Sequence, residues 1–493
     1  MIRFCTKLVI VAVLTATFSV SHTSVARAQP FEMVEKGLVS HKYWVNFADF
    51  SSDGKHVLTA SAFGLQAKIW GQDDNGIWTE EATISHDEMI SSAVISPDGR
   101  HVVTASQDKT AKIWCHAASG NWMEKATVNH NEKISSAVFS PDGQYIVTTS
   151  DDYTAKIWGM DESANWSEKG VISYDECVHK AQFSPNNEYV VTSDDVGKVK
   201  ICAKDEDGKW VEKITVNHED IVDSIKISPD SRYVVTTDMG DDAPVKILSQ
   251  DNSGNWSEKT SNIFGTYGYS QIEFSSDMLY VLTVSEEEVK VWEQDDNGAW
   301  TEKGCIAQSS EITSVMFSFD SRHVLLIIKG SEHRVQFFGR DDVGTWEAKG
   351  SISHREEINT AIFSRDSQRV VTASQDNTAK ILGQDDSGSW AEIFSISHED
   401  SVHSASFSQD SKRVVTSGED NTTKICGKDD RDQWAEQASV SHSGVGAAMF
   451  SPDNKHVLTT DGSNYTAQIW MLIIKKSPSI HSVQKKSGVC TII

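Results

Sequence analysis

Apolar residues along this chain fall in short runs broken by polar turns, and the alternation within a run has period two rather than 3.6. Residues 86–129 show the pattern: Ile90-Ser91-Ser92-Ala93-Val94-Ile95, the turn Ser96-Pro97-Asp98-Gly99, then His101-Val102-Val103-Thr104-Ala105-Ser106. The turn Gln107-Asp108-Lys109 follows, then Thr110-Ala111-Lys112-Ile113-Trp114, a polar turn holding Gly120, and a last run from Trp122 to Val128. β-Branched residues favour pleated backbone, Pro presets φ at a turn, and Gly accepts positive φ. Four short antiparallel strands per unit, and an all-β chain, are the prediction.

The unit is copied along the chain. Trp78, Trp122, Trp166, Trp210, Trp256, Trp300, Trp346, Trp390 and Trp434 recur at spacings of 44 or 46 residues, with a glutamate two residues later at Glu80, Glu124, Glu168 and Glu212. A fixed period of this size marks a supersecondary unit that cannot bury its apolar faces alone. Catalysis needs a unique constellation and copying works against uniqueness, so the array points to a presented surface.

Phe139-Ser140-Pro141-Asp142-Gly143 followed by Asp152-Tyr153-Thr154-Ala155-Lys156-Ile157-Trp158, with a His before the first strand, resembles the WD-repeat family of β-propellers. The resemblance covers residues 31–472. The S-x-D-type turn recurs at Ser51, Ser96, Ser140, Ser184, Ser228, Ser275, Ser318, Ser364, Ser408 and Ser451, giving ten copies. The segment 31–40 matches a fourth strand, so the resemblance implies that the first strand completes the last sheet. One closed ring of ten four-stranded blades is expected, with two smaller propellers as the alternative. The sixth copy lacks both His and Asp, which makes blades six and seven the least regular.

In the family a His, a Ser/Thr of the second strand, a turn Asp and a third-strand Trp form a hydrogen-bonded set. Carried over, the set is His86, Thr104, Asp108, Trp114 and His130, Thr148, Asp152, Trp158. In copies eight and nine Leu382 and Cys426 replace the Trp. The family also exposes two positions at the start of each first strand on the top of the ring. The resemblance therefore implies partner-binding positions at Trp44, Asn46, Met89, Lys133, His179, Ile221, Asp223 and His403. These residues vary from copy to copy, whereas most histidines recur at fixed slots and read as structural.

No nucleophile–base pair and no phosphate-binding Gly-rich loop stands out, so no enzyme activity, metal or cofactor is expected. Asp73-Asp74-Asn75-Gly76 and Asp385-Asp386-Ser387-Gly388 in the third-to-fourth turns invite a calcium reading, because hard cations take several oxygens from one loop. Asp/Asn-Gly is also the ordinary hairpin signal. A calcium- or carbohydrate-binding propeller is thus an alternative.

The two ends differ from the body. Arg3 and Lys7, the apolar run Leu8 to Val20 and Val25-Ala26-Arg27-Ala28 read as a cleavable secretory signal over residues 1–28. The mature propeller, 29–474, is then exported to the periplasm or the medium. Removing three basic and no acidic residues takes the formal charge from −26 to −29. Such a surface repels phosphate backbones, so the expected partner is another protein and not nucleic acid, bound by a monomer. Residues 475–493 form a basic tail ending in Cys490-Thr491-Ile492-Ile493, which fits a prenylation box. A host-directed effector anchored to membranes at Cys490 is a second alternative. Cys202 and Cys426 occupy tryptophan slots and are expected as buried thiols.

Overall fold

The computed structural model describes residues 31–474, apart from loop segments 241–244, 260–270, 285–287, 295–299, 308–309, 342–343, 430–431 and 462–464 and the single loop positions 62, 74, 162, 164, 252, 331, 443 and 445. Residues 1–28, whose sequence reads as a secretory signal, and the tail with Cys490 lie outside the described residues.

Each copy of the repeat folds as predicted into one antiparallel four-stranded sheet, and ten such sheets are described. In blade 3 the strands are Ile134–Phe139, Tyr145–Ser150, Thr154–Met160 and Trp166–Ser173, paired in chain order. Blades 1 to 9 span residues 45–85, 90–129, 134–173, 178–217, 222–259, 271–307, 311–354, 358–397 and 402–441. Second strands are the most deeply buried: every residue of His56–Ser61 and Tyr189–Asp194 is inside. Blade 6 forms its sheet despite lacking the repeat's His and Asp. Tyr280, Leu282, Val289 and Val291 pack there against Leu326 and Ile328 of blade 7, so apolar burial stands in for the missing polar contacts.

Blade 10 is built from both ends of the array. Phe31–Ser40 pairs antiparallel with Thr466–Ile474, in the register Val39↔Ala467, Leu38↔Gln468 and Gly37↔Ile469. The closing strand covers the edge of Thr466–Ile474, which would otherwise template association with another chain, and gives the blade the same outer fourth strand as the others.

The core is ten hydrophobic clusters, and each straddles two consecutive blades. The cluster joining blade 10 to blade 1 holds Val39, Leu458 and Ile469 with Val57, Trp70 and Trp78. Ten blades with ten junctions make one closed ring, which settles against the two-propeller alternative: two rings would replace consecutive junctions with two separate closures.

The first-to-second turns lock the ring as well. Blades 1 to 3 place Gly54, Gly99 and Gly143 at positive φ there, but later blades place Asn187, Ser231, Ser321, Ser367, Ser411 and Asn454. Left-handed backbone is unfavourable for residues with a Cβ. Each of these Asn and Ser side chains accepts a hydrogen bond from a backbone amide of the preceding blade's turn, as Ser411 Oγ does from Asp366 N–H at 3.2 Å and Asn454 Oδ1 from Gln409 N–H at 2.7 Å, while blade 6 places Met278 at this position. The bond between blades offsets the local strain.

Candidate docking face

The polar set of blade 3 forms a continuous chain of donors. Trp158 Nε1–H donates to Thr148 Oγ1 at 2.9 Å, and Thr148 Oγ1 lies 2.8 Å from His130 Nε2. His130 Nδ1 lies 3.0 Å from Asp152 Oδ2. Asp152 also accepts from the amide of Asn131 and the hydroxyl of Thr154. Since the carboxylate only accepts, the proton sits on Nδ1 and Nε2 receives the threonine hydroxyl. Burial pulls the His130 pKa down and outweighs the upward pull of Asp152. Burial pushes Asp152 up, but its hydrogen bonds win and hold it at about 2. A neutral histidine on an ionised aspartate is a fixed polar strut rather than a reagent.

Blade 2 departs from the implied set. His86 reaches Asp108 at 2.9 Å and Thr104 at 2.8 Å, but among the described residues the Trp114 indole N–H has no partner. The Thr104 hydroxyl serves His86 alone, and the Trp114 ring packs into the junction with blade 1. In blade 8, where Leu382 replaces Trp, the amide of Lys380 donates to Thr372 Oγ1 at 3.2 Å. Trp390 shares the junction cluster with Leu382 and takes part in filling that space. Cys202 and Cys426 are buried free thiols.

The implied partner-binding residues sit at the first-strand ends that face the second-to-third turns. Lys133 pairs with Asp151 at 3.1 Å, and His179 is held between Ser135 at 3.0 Å and Asp195 at 2.9 Å. These two are already engaged across blades 3 and 4. Met89 is half-buried, while Asn46, Asp223 and His403 are exposed. The carbonyl of Asp223 takes the Lys180 ammonium. Ile221 is 39% exposed and Trp44 54%.

Trp44 is not isolated. The register Val45↔Ser61 sets it beside the second-to-third turn of blade 1, which carries Phe63, 59% exposed, and the exposed Leu65. Exposed Tyr43 precedes Trp44, and exposed Tyr465 of blade 10 accepts the amide of His41 through its carbonyl at 2.9 Å. Exposed apolar side chains therefore run from the seam where the ring closes to the turn of blade 1, whose Leu65 carbonyl takes the amide of His86 at the next junction. Phe63 and Leu65 were missed by reasoning from first-strand positions alone. Their signal is plain in the sequence: where blade 2 reads Gln107-Asp108-Lys109-Thr110, blade 1 reads Ala62-Phe63-Gly64-Leu65-Gln66.

On the opposite rim the acidic turns use their first carboxylate on themselves. Asp73 Oδ1 accepts the amides of Asn75 and Ile77 at 2.9 and 2.8 Å, and Asp385 Oδ1 those of Ser387 and Ser389 at 2.8 and 3.0 Å. These oxygens close hairpins. A different group on that rim has the makings of a metal centre: one donor atom each from His56, Glu81 and His116 lie within 4.8 Å of one another.

The model of the family described as WD domain, G-beta repeat matches residues 78–115, 123–159, 346–381 and 390–426. Each match runs from a fourth strand through the third strand of the next blade. No curated protein matches the chain. Among solved structures, a Bacteroides fragilis NCTC 9343 protein named as a 6-phosphogluconolactonase is similar at 15% identity, over 63% of this chain and 95% of that one, with a TM-score of 0.38. Four stretches match the WD-repeat family directly and ten sheets of one pattern close a ring, so the chain is a ten-bladed β-propeller whose repeats are similar to those of the WD domain family.

Proposed function

We propose that this propeller is a non-enzymatic scaffold that holds another protein against its top face, anchored at the seam between blades 10 and 1. One observation carries the reading: Tyr43, Trp44 and Tyr465 expose large apolar side chains at that seam, and Phe63 and Leu65 do so on the second-to-third turn of blade 1. Exposed apolar patches with polar surroundings mark interaction sites, and aromatic anchors dominate interface energetics. WD-repeat propellers commonly bind other proteins, which agrees with this use of the face. The polar positions Lys133 and His179 of blades 3 and 4, fixed by their own partners, would supply orientation rather than anchorage. Export through residues 1–28 and lipid attachment at Cys490 belong to the same proposal and rest on the sequence of the two ends.

The test is capture of partners by the full chain, comparing wild type with Trp44→Ala/Phe63→Ala and with Val171→Ala, an exposed change on the outer strand of blade 3. The double variant should lose the proteins that wild type and Val171→Ala retain. Equal capture by all three would remove the seam as the anchor. Mass spectrometry after expression in a eukaryotic cytosol reads the Cys490 arm directly: a prenyl adduct supports it and an unmodified thiol removes it.

A further inference from the structure

Two departures from the repeat converge on one histidine. At the fourth position of the fourth strand, blades 2 to 7 carry Lys125, Lys169, Lys213, Lys259, Lys303 and Lys349, whereas blade 1 carries Glu81. At the last position of the third strand, blades 1, 5, 6 and 8 carry Gln72, Gln250, Gln294 and Gln384, whereas blade 2 carries His116. In blades 1 and 8 the amide bonds a histidine of the preceding blade: Gln72 meets His456 at 3.1 Å and Gln384 meets His323 at 2.7 Å. In blade 2 the same geometry brings His116 to His56 of blade 1, with ring centroids 4.8 Å apart. A second imidazole has replaced the amide, and a carboxylate has replaced the ammonium.

His56 is only 8% exposed, and among the described residues its ring makes no hydrogen bond; Nδ1 is buried without a partner. Its Nε2 stands 3.5 Å from Glu81 Oε2. Ligand atoms around a tetrahedral ion with bonds of about 2.0–2.1 Å lie roughly 3.3–3.5 Å apart, so these two are already at chelating separation. The half-buried His116 has to close the remaining distance by rotation. Its Nε2 lies 3.2 Å from the carbonyl of Gly120, which can only accept, so Nε2 carries the proton and Nδ1 keeps its lone pair. Trp122 Nε1–H donates to Glu81 Oε2 at 3.0 Å and fixes the carboxylate. A Cβ on Gly71 would overlap that carboxylate, so the absent side chain makes its berth. Outer hydrogen bonds of this kind, an imidazole N–H on a carbonyl and a held carboxylate, orient ligands at metal centres.

We propose that His56, Glu81 and His116 bind a divalent transition metal of the zinc class, clamping blade 1 to blade 2 and leaving one position open. Two imidazoles and a carboxylate are a donor set such ions take. The lysine found in blades 2 to 7 would repel the cation from the same place. The site lies on the rim opposite the docking face, so its fate and that of the scaffold reading are separable.

The test uses the full chain, stripped with chelator and titrated calorimetrically with zinc chloride, with thermal melts in parallel. Glu81→Lys restores the residue of the neighbouring blades, and His116→Gln restores that of blades 1 and 8, so both variants suit the fold. Wild type should take up one equivalent and melt higher with zinc. Each variant should lose affinity by at least about tenfold, while Val171→Ala, an exposed change on the outer strand of blade 3, should bind like wild type. No saturable equivalent in wild type would overturn the site, and uptake that both variants match would overturn it by assigning the zinc to groups elsewhere, such as the acidic turns.

Discussion

The indole of Trp210 stands edge-on to Tyr145 of the preceding blade, ring centroids 5.7 Å apart at 77°. The relationship is repeated around the ring. Trp78 meets His456, Trp122 meets His56, Trp166 meets His101, Trp256 meets Tyr189, Trp300 meets Tyr233, Trp346 meets Tyr280 and Trp390 meets His323, all near perpendicular. At the last two junctions a guanidinium takes the aromatic's place, Arg369 over Trp434 and Arg413 over Phe31. The periodic tryptophan is thus a key turned into the previous blade. Edge-to-face pairs add about 0.5–1.5 kcal/mol to the burial of an indole.

Trp210→Ala should accordingly destabilise the ring by about 3–5 kcal/mol, the usual cost of emptying a packed indole site. Trp44→Ala, on the exposed seam, should leave stability unchanged within about 0.5 kcal/mol. Denaturant unfolding of the two variants against wild type checks the contrast.

Stability should fall as the medium is acidified. Burial lowers the pKa of His86, His130, His354 and His398, and that of His41 to about 4. The unfolded chain binds protons at these histidines from about pH 6.5 downward while the folded chain refuses them, so each favours unfolding as pH drops through that window. A second loss follows between about pH 4 and 2, where the unfolded state protonates Asp152 and Asp420 first, both held at about 2 in the fold. Urea midpoints at about pH 7.5, 5.5 and 4.5 should decline in that order; a flat or rising series contradicts the buried neutral histidines.

Gly197→Asn should destabilise although Asn377 and Asn421 occupy the same turn position in blades 8 and 9 with φ of 67° and 61°. At Gly197, φ is 87° and a Cβ would overlap the carbonyl oxygen of Asp220 in the loop entering blade 5. A cost of about 1–3 kcal/mol is expected, read from the thermal midpoint, whereas Asn377→Gly should cost less.

The fold was legible because period-two runs, turn residues and the tryptophan spacing all state the same unit ten times. Its closure was legible too, since 31–40 reads as a fourth strand and the array ends on a third. The site was less so. Trp44 follows from counting within a repeat, but Phe63 and Leu65 sit in an inserted turn that no other copy predicts. Glu81 breaks a column of lysines in plain sight. That break gains meaning only when the stagger between blades sets the end of one third strand against the start of the previous second strand. Which tryptophan joins a polar set also escapes the pattern: Trp158 and Trp114 occupy one slot, and only the first donates to its threonine.

The closed ring is tested most directly by a disulfide across the closing pair. Leu38 and Gln468 face each other as Val171 and Lys156 do inside blade 3. Leu38→Cys/Gln468→Cys and the control Lys156→Cys/Val171→Cys, oxidised under the same mild conditions at low concentration, should both form an intramolecular bond at similar rates. A control pair that closes while the Leu38/Gln468 pair stays reduced, or links only between molecules, would contradict a ring sealed by its own first strand.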